Sequence, residues 1–173
     1  FDQNYRFFNP KAGANWLPSQ NNRLYFVAGV AQREPTRADI KDVLKTGDTI
    51  KAEAMLDFEL GYHYGSPRFT VHVNGYAMLY KDQLTASGQL SPSGYALMIN
   101  VDKSYRLGME VETGYRVCKW FDMTGNVTVS TNKIVDYQYN DSVNLGMTDL
   151  SFSPSVVAAA LLTFTPVDNL KLK

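Results

Sequence analysis

The chain has one cysteine, two histidines, no charge of one sign in excess and no long apolar run, and each shortage narrows what it can be. A lone Cys118 excludes an internal disulfide and a cysteine-rich zinc site, and we read it as a small apolar packing residue. Seventeen basic residues balance seventeen acidic ones, so no bulk charge recruits nucleic acid or an acidic substrate. The longest apolar run, Val156–Leu162, falls far short of the roughly 20 residues a membrane-crossing helix needs. The sequence contains no Ser–His–Asp pattern, phosphate loop or nucleotide fingerprint, so it points to no catalytic residue, no cofactor and no enzyme. Helical periodicity is also scarce. Only Arg37–Leu44, "RADIKDVL", reads as a helical turn or two inside a polar loop, either a capped loop segment or an amphipathic partner helix.

Alternation is abundant instead. In "YRLGMEVETGYRV" the series Tyr105, Leu107, Met109, Val111, Thr113, Tyr115 and Val117 is nearly uncharged. The interleaved series holds Arg106, Glu110, Glu112 and Arg116. Successive strand side chains point to opposite faces, so this is an extended strand with one apolar and one charged side. Similar patterns occupy Lys11–Leu17, Met55–Tyr64, Phe69–Asp82 and Phe121–Asn132. The facing of Arg23–Arg33 is ambiguous, Ser155–Thr165 is apolar on both faces, and Leu170–Lys173 begins another strand. Short turns are expected at Pro18–Asn22, Gly65–Arg68, Cys118–Trp120 and Val167–Asn169. Long polar segments are expected at Glu34–Glu53, Thr85–Tyr95 and Asp136–Ser153.

Tight turns at one end and long loops at the other are the layout of an antiparallel up-and-down meander in a transmembrane barrel. The apolar series match the 9–11 residues a tilted strand needs to cross the hydrocarbon layer. Beside the short turns collect Trp16, Tyr62, Tyr64, Phe69, Tyr115, Trp120, Phe121 and Phe164, as an aromatic girdle at headgroup depth would require. A mean hydropathy of −0.26 does not oppose this, because alternating faces average out. Two rival readings remain. A complete eight-stranded barrel would be structural or a passive pore. A soluble β-sandwich, suggested by 11 tyrosines and Asn-rich loops, would bind carbohydrate.

The run "NVDKSYRLGMEVE", Asn100–Glu112, resembles the stretch of TonB-dependent outer-membrane receptors where an Asn-containing segment leads into a Gly-x-Glu strand. Three other pieces fall in that family's order. They are Asn9–Pro35, which ends in Arg33-Glu34-Pro35; "FELGYHY", Phe58–Tyr64; and "VNGYAMLYKDQL", Val73–Leu84. The resemblance implies a 22-stranded barrel in the bacterial outer membrane, plugged by an N-terminal domain. Such a barrel imports a ferric siderophore, haem, vitamin or glycan. Its partners would be the TonB energy-transducing complex (reached through the plug), the imported ligand and outer-membrane lipid, with a surface lipoprotein as a further candidate. The whole chain, residues 1–173, then reads as one fragment of the barrel domain, without the plug and the last strands. Phe1 opens without a targeting pattern and "NLKLK" stops while alternation is running, which agrees with a fragment.

Candidate residues follow from the faces. Asp57, Glu59, His63, His72, Arg106, Glu110, Glu112 and Arg116 are expected on the lumen side. If Tyr64 pairs with Phe69, the two histidines sit diagonally across the ladder, about 7–8 Å apart. They read as wet wall residues, since no third ligand stands at convincing spacing for a metal. Arg106, Glu110, Glu112 and Arg116 are expected to form an ion-pair ladder with neighbouring strands. Arg33 and Arg37 are expected to pin the long loop to the rim. Ligand contacts are expected in the three long segments, because barrel loops face the medium.

Overall fold

The computed structural model describes residues 4–46, 49–90, 94–140, 142–167 and 170–172. Eight strands among them run in an antiparallel path: β1 (Lys11–Ser19), β2 (Asn22–Arg33), β3 (Glu53–Gly65), β4 (Phe69–Leu90), β5 (Ala96–Cys118), β6 (Phe121–Ile134), β10 (Val156–Val167) and β11 (Leu170–Leu172). One helix, α1 (Arg37–Thr46), follows β2. Between β6 and β10 lie the small hairpin β7 (Gln138–Asn140) and β8 (Val143–Asn144) and a short strand β9 (Thr148–Asp149) that pairs with β6. The order β1-β2-β3-β4-β5-β6-β10-β11 follows the chain without crossovers.

This is one layer of sheet. Among the described residues no large side chain is fully buried, and only Val101, Ile134 and Leu150 form a buried apolar cluster, with Tyr137 against it. A β-sandwich needs two sheets packed face to face, so the carbohydrate-module reading fails on architecture. The complete eight-stranded barrel fails as well. Among the described residues β1 pairs only with β2 and β11 only with β10, so the sheet does not close on itself.

Registers sort every side chain to a face. Directly opposed residues share a face, which places Phe26, Leu60, Gly75, Met109, Val129 and Val156 in one row. Tyr25, Gly61, Asn74, Glu110 and Thr128 form a row on the other side. The apolar face is uncovered: Leu60 is 62% exposed, Met109 51% and Val129 51%. Six of the eight expected girdle rings meet at the short-turn end, in two groups of three. Tyr64 lies 6.2 Å from Phe69, Phe69 6.5 Å from Tyr115, and Phe121 4.5 Å from Phe164, with Trp120 stacked on both of the last pair.

The structure corrects several expectations. Of the long segment expected at Thr85–Tyr95, the part up to Leu90 is strand. β4 and β5 remain paired through Thr85↔Ile99, Ala86↔Met98 and Leu90↔Ala96, with a bulge at Gly88 (φ 83°). Ser, Gly and Gln suggest a turn, but a ladder satisfies the backbone of a projecting ribbon equally well. The helical segment expected at Arg37–Leu44 is present and runs two residues further, to Thr46. Its start is a capping box: the Asp39 amide donates to Thr36 Oγ1 (3.2 Å) and the Thr36 amide donates to Asp39 Oδ2 (3.0 Å). Asp136–Ser153 carries β7, β8 and β9 and folds back on β6, with the Leu150 amide donating to the Asn132 carbonyl at 3.0 Å.

The β3–β4 register differs by two residues from the expected Tyr64–Phe69 pair. Ser66 closes the turn, its amide donating to the Phe69 carbonyl (2.8 Å) while the Phe69 amide donates to Ser66 Oγ (3.0 Å). Tyr64 therefore opposes Val71, and His63 opposes His72 directly rather than diagonally.

Candidate functional site

Two clusters of polar residues stand at opposite ends of the polar face. The first, near the short turns, is centred on Tyr25. Its ring lies over Gly61, directly opposite on β3, where a Cβ would run into the aromatic carbons. Only glycine leaves that space. Tyr76 covers Gly108 on β5 in the same way. So laid, the Tyr25 hydroxyl donates to Asn74 Oδ1 at 2.9 Å and meets His72 Nε2 at 3.1 Å. The hydroxyl has one proton. With that proton given to Asn74, its oxygen accepts from His72 Nε2–H, which fixes the imidazole tautomer. The His63 ring lies 6.1 Å from that of His72, centroid to centroid, and the Arg23 guanidinium sits 5.6 Å above the Tyr25 ring. Among the described residues no group of three or more His, Cys, Asp or Glu is placed to hold a metal ion.

The expected lumen residues do share one face, but they do not form an ion-pair ladder. Glu110 opposes Asn74 and Thr128, and Glu112 opposes His72 and Asn126. Arg106 opposes Met78 and Asn132, and its buried Nε has no hydrogen-bond partner among the described residues. Asp57 lies in the same row, opposite Gly29 and Met78, with Oδ1 likewise buried and unpartnered. Glu59 opposes Val27 and Tyr76. Of these residues only Arg116 forms an ion pair across strands among the described residues, with Asp122 at 3.0 Å. The ladder fails because neutral partners stand opposite the charges.

The second cluster is a latch at the loop end. Arg33 opposes Glu53 and binds it at 3.0 Å, and the other Glu53 oxygen accepts the Leu84 amide at 2.9 Å. One carboxylate thus ties β2, β3 and β4 together. Arg37 lies exposed in the first turn of α1 and makes no ion pair among the described residues, so Arg33 alone of the expected pair pins the rim. Beside the latch, Asn100 accepts the Lys51 amide (2.7 Å) and donates through Nδ2 to the carbonyls of Lys51 (3.0 Å) and Asp82 (2.7 Å). Asp82 is held in a left-handed conformation (φ 52°) that non-glycine residues rarely adopt. The Asn100 clamp and the Lys51–Asp82 ion pair at 3.3 Å hold it there.

Sequence reasoning passed over Tyr25, Asn74, Glu53, Asp82, Lys51 and Asn100. For Tyr25 a signal existed: a glycine interrupting the polar face of β3 at position 61 marks a place where something large lies flat. For Asn100 there was none, since its role depends on a loop returning to it.

The comparisons with known proteins agree with this geometry. No curated protein sequence matches the chain. The model of the family described as "TonB dependent receptor-like, beta-barrel" matches residues 1–171. Among solved structures, the copper transporter OprC superposes with a TM-score of 0.67 at 17% identity, over 89% of this chain and 24% of that one. The FrpB iron transporter from Neisseria meningitidis gives 0.63 at 20%, over 90% and 24%. The ferric-catecholate import receptor Fiu from K12 E. coli gives 0.65 at 15%, over 93% and 23%. The chain thus spans about a quarter of the length of these structures. With a family match along nearly its whole length and a two-faced antiparallel wall to accompany it, the chain belongs to the TonB-dependent receptor β-barrel family and is part of the wall of a bacterial outer-membrane barrel.

Proposed function

We propose that this chain is a contiguous piece of the barrel of a receptor that actively imports a scarce metal, free or as a chelate. The observation that carries the reading is the family match over residues 1–171 of a sheet whose faces divide into apolar and charged. Structures of similar fold are named for copper, iron, ferric yersiniabactin and ferric catecholate, which favours a metal cargo over a vitamin or a glycan. In this reading the plug and the remaining strands belong to the rest of the protein, and energy reaches the plug from the TonB complex. The chain itself contributes no covalent chemistry. Its polar face borders the aqueous passage, and Asp57, Glu59, His63, His72, Arg106, Glu110, Glu112 and Arg116 set the charge there.

Ligand contacts made by this chain are assigned to Glu34–Glu53 and Asp136–Ser153, the two long connections on the loop side. Residues 91–93, which follow β4 in the chain, lie outside the described residues. The test replaces each of the two connections by a short Gly-Ser linker in the intact receptor. Uptake of radiolabelled ferric and cupric chelates is then measured in metal-starved cells. We expect at least one replacement to abolish uptake while the barrel still folds and inserts. Full uptake in both replaced forms would overturn the loop assignment. No uptake of any metal by the unaltered receptor would overturn the proposed cargo.

A further inference from the structure

The β3–β4 register brings the chain's two histidines face to face on the polar side. His63 opposes His72 directly, and their rings lie 6.1 Å apart, centroid to centroid. From β2, two strands away from His72, the Tyr25 oxygen reaches His72 Nε2 at 3.1 Å and Asn74 Oδ1 at 2.9 Å. Hydrogen bonds account for His72, Tyr25 and Asn74 but leave His63 over. Its ring makes no hydrogen bond among the described residues. It lies over Gly65, with Nε2 3.2 Å from where a Cβ would stand. Glycine offers no side chain to hold it there, so rotation about the side-chain bonds of His63 can turn a ring nitrogen towards Tyr25 and His72.

The donor atoms are spaced for one ion. Ligands at about 2.0–2.1 Å in neighbouring corners of a square-planar ion lie about 2.8–3.0 Å apart. His72 Nε2 and Asn74 Oδ1 already stand within about 0.3 Å of that spacing from the Tyr25 oxygen. No third His, Cys, Asp or Glu joins the histidines among the described residues, and the phenol oxygen takes that place. Two imidazole nitrogens and two oxygens in a tetragonal set favour Cu2+, which also heads the affinity order of the divalent first-row ions.

We propose that His63, His72 and Tyr25, with Asn74 as the fourth ligand, bind Cu2+ on the polar face near the short turns. On binding, the Tyr25 proton passes to water and the His72 proton moves from Nε2 to Nδ1, so a phenolate and two neutral imidazoles meet the ion. Glu112 opposes His72 from β5, where its carboxylate can take the Nδ1–H and keep Nε2 turned to the metal. Arg23, 5.6 Å from the Tyr25 ring, offsets the phenolate, while Glu110 and Glu112 leave the surroundings net negative. The site is open to water on both sides. A depression of about 280 Å³ is bordered by His63 and one of about 290 Å³ by His72. Binding stands whether or not the imported cargo is a metal, and only a part for the site in transit rests on that reading.

The test is titration of the intact, chelator-stripped receptor in detergent with Cu2+, read by electron paramagnetic resonance and visible absorption. The unaltered protein should show coupling to two imidazole nitrogens and a phenolate-to-copper charge-transfer band. Copper bound elsewhere in the receptor keeps its signal in every variant, so the readout is the difference between variants. Tyr25→Phe should abolish the band and keep both nitrogens. His63→Gln should leave one nitrogen and weaken binding by more than the about 10- to 100-fold expected of Glu112→Gln, which removes only an outer-shell partner. Since the His63 ring bonds to nothing, His63→Gln should fold as the unaltered protein does. A spectrum unchanged by His63→Gln, coupling to a single nitrogen in the unaltered protein, or a charge-transfer band that is missing or survives Tyr25→Phe would each overturn the proposal. Uptake of radiolabelled chelates is a separate readout, so failure here leaves the transport reading untouched and failure there leaves this one.

Discussion

The face assignment is tested most sharply by placing one arginine at the middle of the apolar side. Met109 stands six residues from Lys103 and six from Tyr115 along β5, so it sits at the bilayer midplane if Lys103 and the girdle mark the two interfaces. It is 51% exposed in the isolated sheet. Were that face wetted, Met109→Arg would change stability by no more than about 0.5 kcal/mol, as exposed surface substitutions do. Facing acyl chains at the midplane, the same change costs about 2–4 kcal/mol. The control lies on the next strand and the opposite face. Thr128 opposes Glu110, so Thr128→Arg creates a cross-strand pair of opposite charges, contributing about 0.2–1 kcal/mol. The assay is urea-induced unfolding of the intact receptor from phospholipid vesicles, with the free-energy difference taken from the shift in midpoint at constant slope. Met109→Arg should lower the midpoint strongly and Thr128→Arg should leave it unchanged or raise it. A Met109→Arg protein within about 0.5 kcal/mol of the unaltered one would refute the outward direction of the apolar face.

Three further substitutions probe the clusters on the polar side. Tyr25→Phe removes the hydrogen bonds to Asn74 and from His72, so it should destabilise by about 1–2 kcal/mol in the same unfolding assay. Gly108→Ala drives a methyl group into the Tyr76 ring and should cost about 1–3 kcal/mol, and pairing it with Tyr76→Ala should recover part of that loss. Glu53→Ala strips both Arg33 and the Leu84 amide of their acceptor, whereas Glu53→Gln keeps an oxygen for Leu84. Hydrogen exchange at the Leu84 amide should accordingly accelerate much more in Glu53→Ala than in Glu53→Gln.

The strands were legible where alternation was strict. β3 carries an uninterrupted apolar series and β6 one broken only by Gly125 as far as Val129, and their boundaries fall within about two residues of the expected ones. β2 was ambiguous because Leu24, Tyr25, Phe26 and Val27 are consecutive apolar-bodied residues. Its facing is decided by register against Glu59 and Gly61, which no local pattern reveals. β10 is apolar on both faces, as expected, and its facing too is set by register: Val157, Ala159 and Leu161 stand on the polar face because they oppose Thr128, Asn126 and Thr124. The turn between β3 and β4 was placed correctly, but the pairing was set two residues off, since a hydroxyl from Ser66 decides where the hairpin closes. Of the two clusters the sequence offered fragments: His63, His72 and Arg33 were visible, whereas Glu53 reaches Arg33 across 20 positions of chain, Tyr25 reaches His72 across 47 and Asn74 across 49, and Asn100 reaches Lys51 across 49.

Charge is distributed over this sheet in a way that a soluble protein would have difficulty sustaining. From the girdle to Lys133, every side chain on the outer face of β2 through β6 is uncharged. On the other face Asp57, Glu59, Arg106, Glu110 and Glu112 stand within the same span, opposite neutral neighbours across the strands. At the edges the pattern changes, and Arg33–Glu53, Lys51–Asp82, Arg116–Asp122 and Lys133–Asp149 are joined pairwise. Pairing along the wall matters where side chains reach the interface, because a lone charge beside hydrocarbon is costly. In the middle of the polar face it does not matter, provided water or another layer of protein lies against that face. Asp57 Oδ1 and Arg106 Nε, buried without hydrogen-bond partners among the described residues, make the second provision the stronger one, since a buried polar atom left unmet costs about 1–3 kcal/mol. The wall thus calls for lipid on one side and a polar filling on the other.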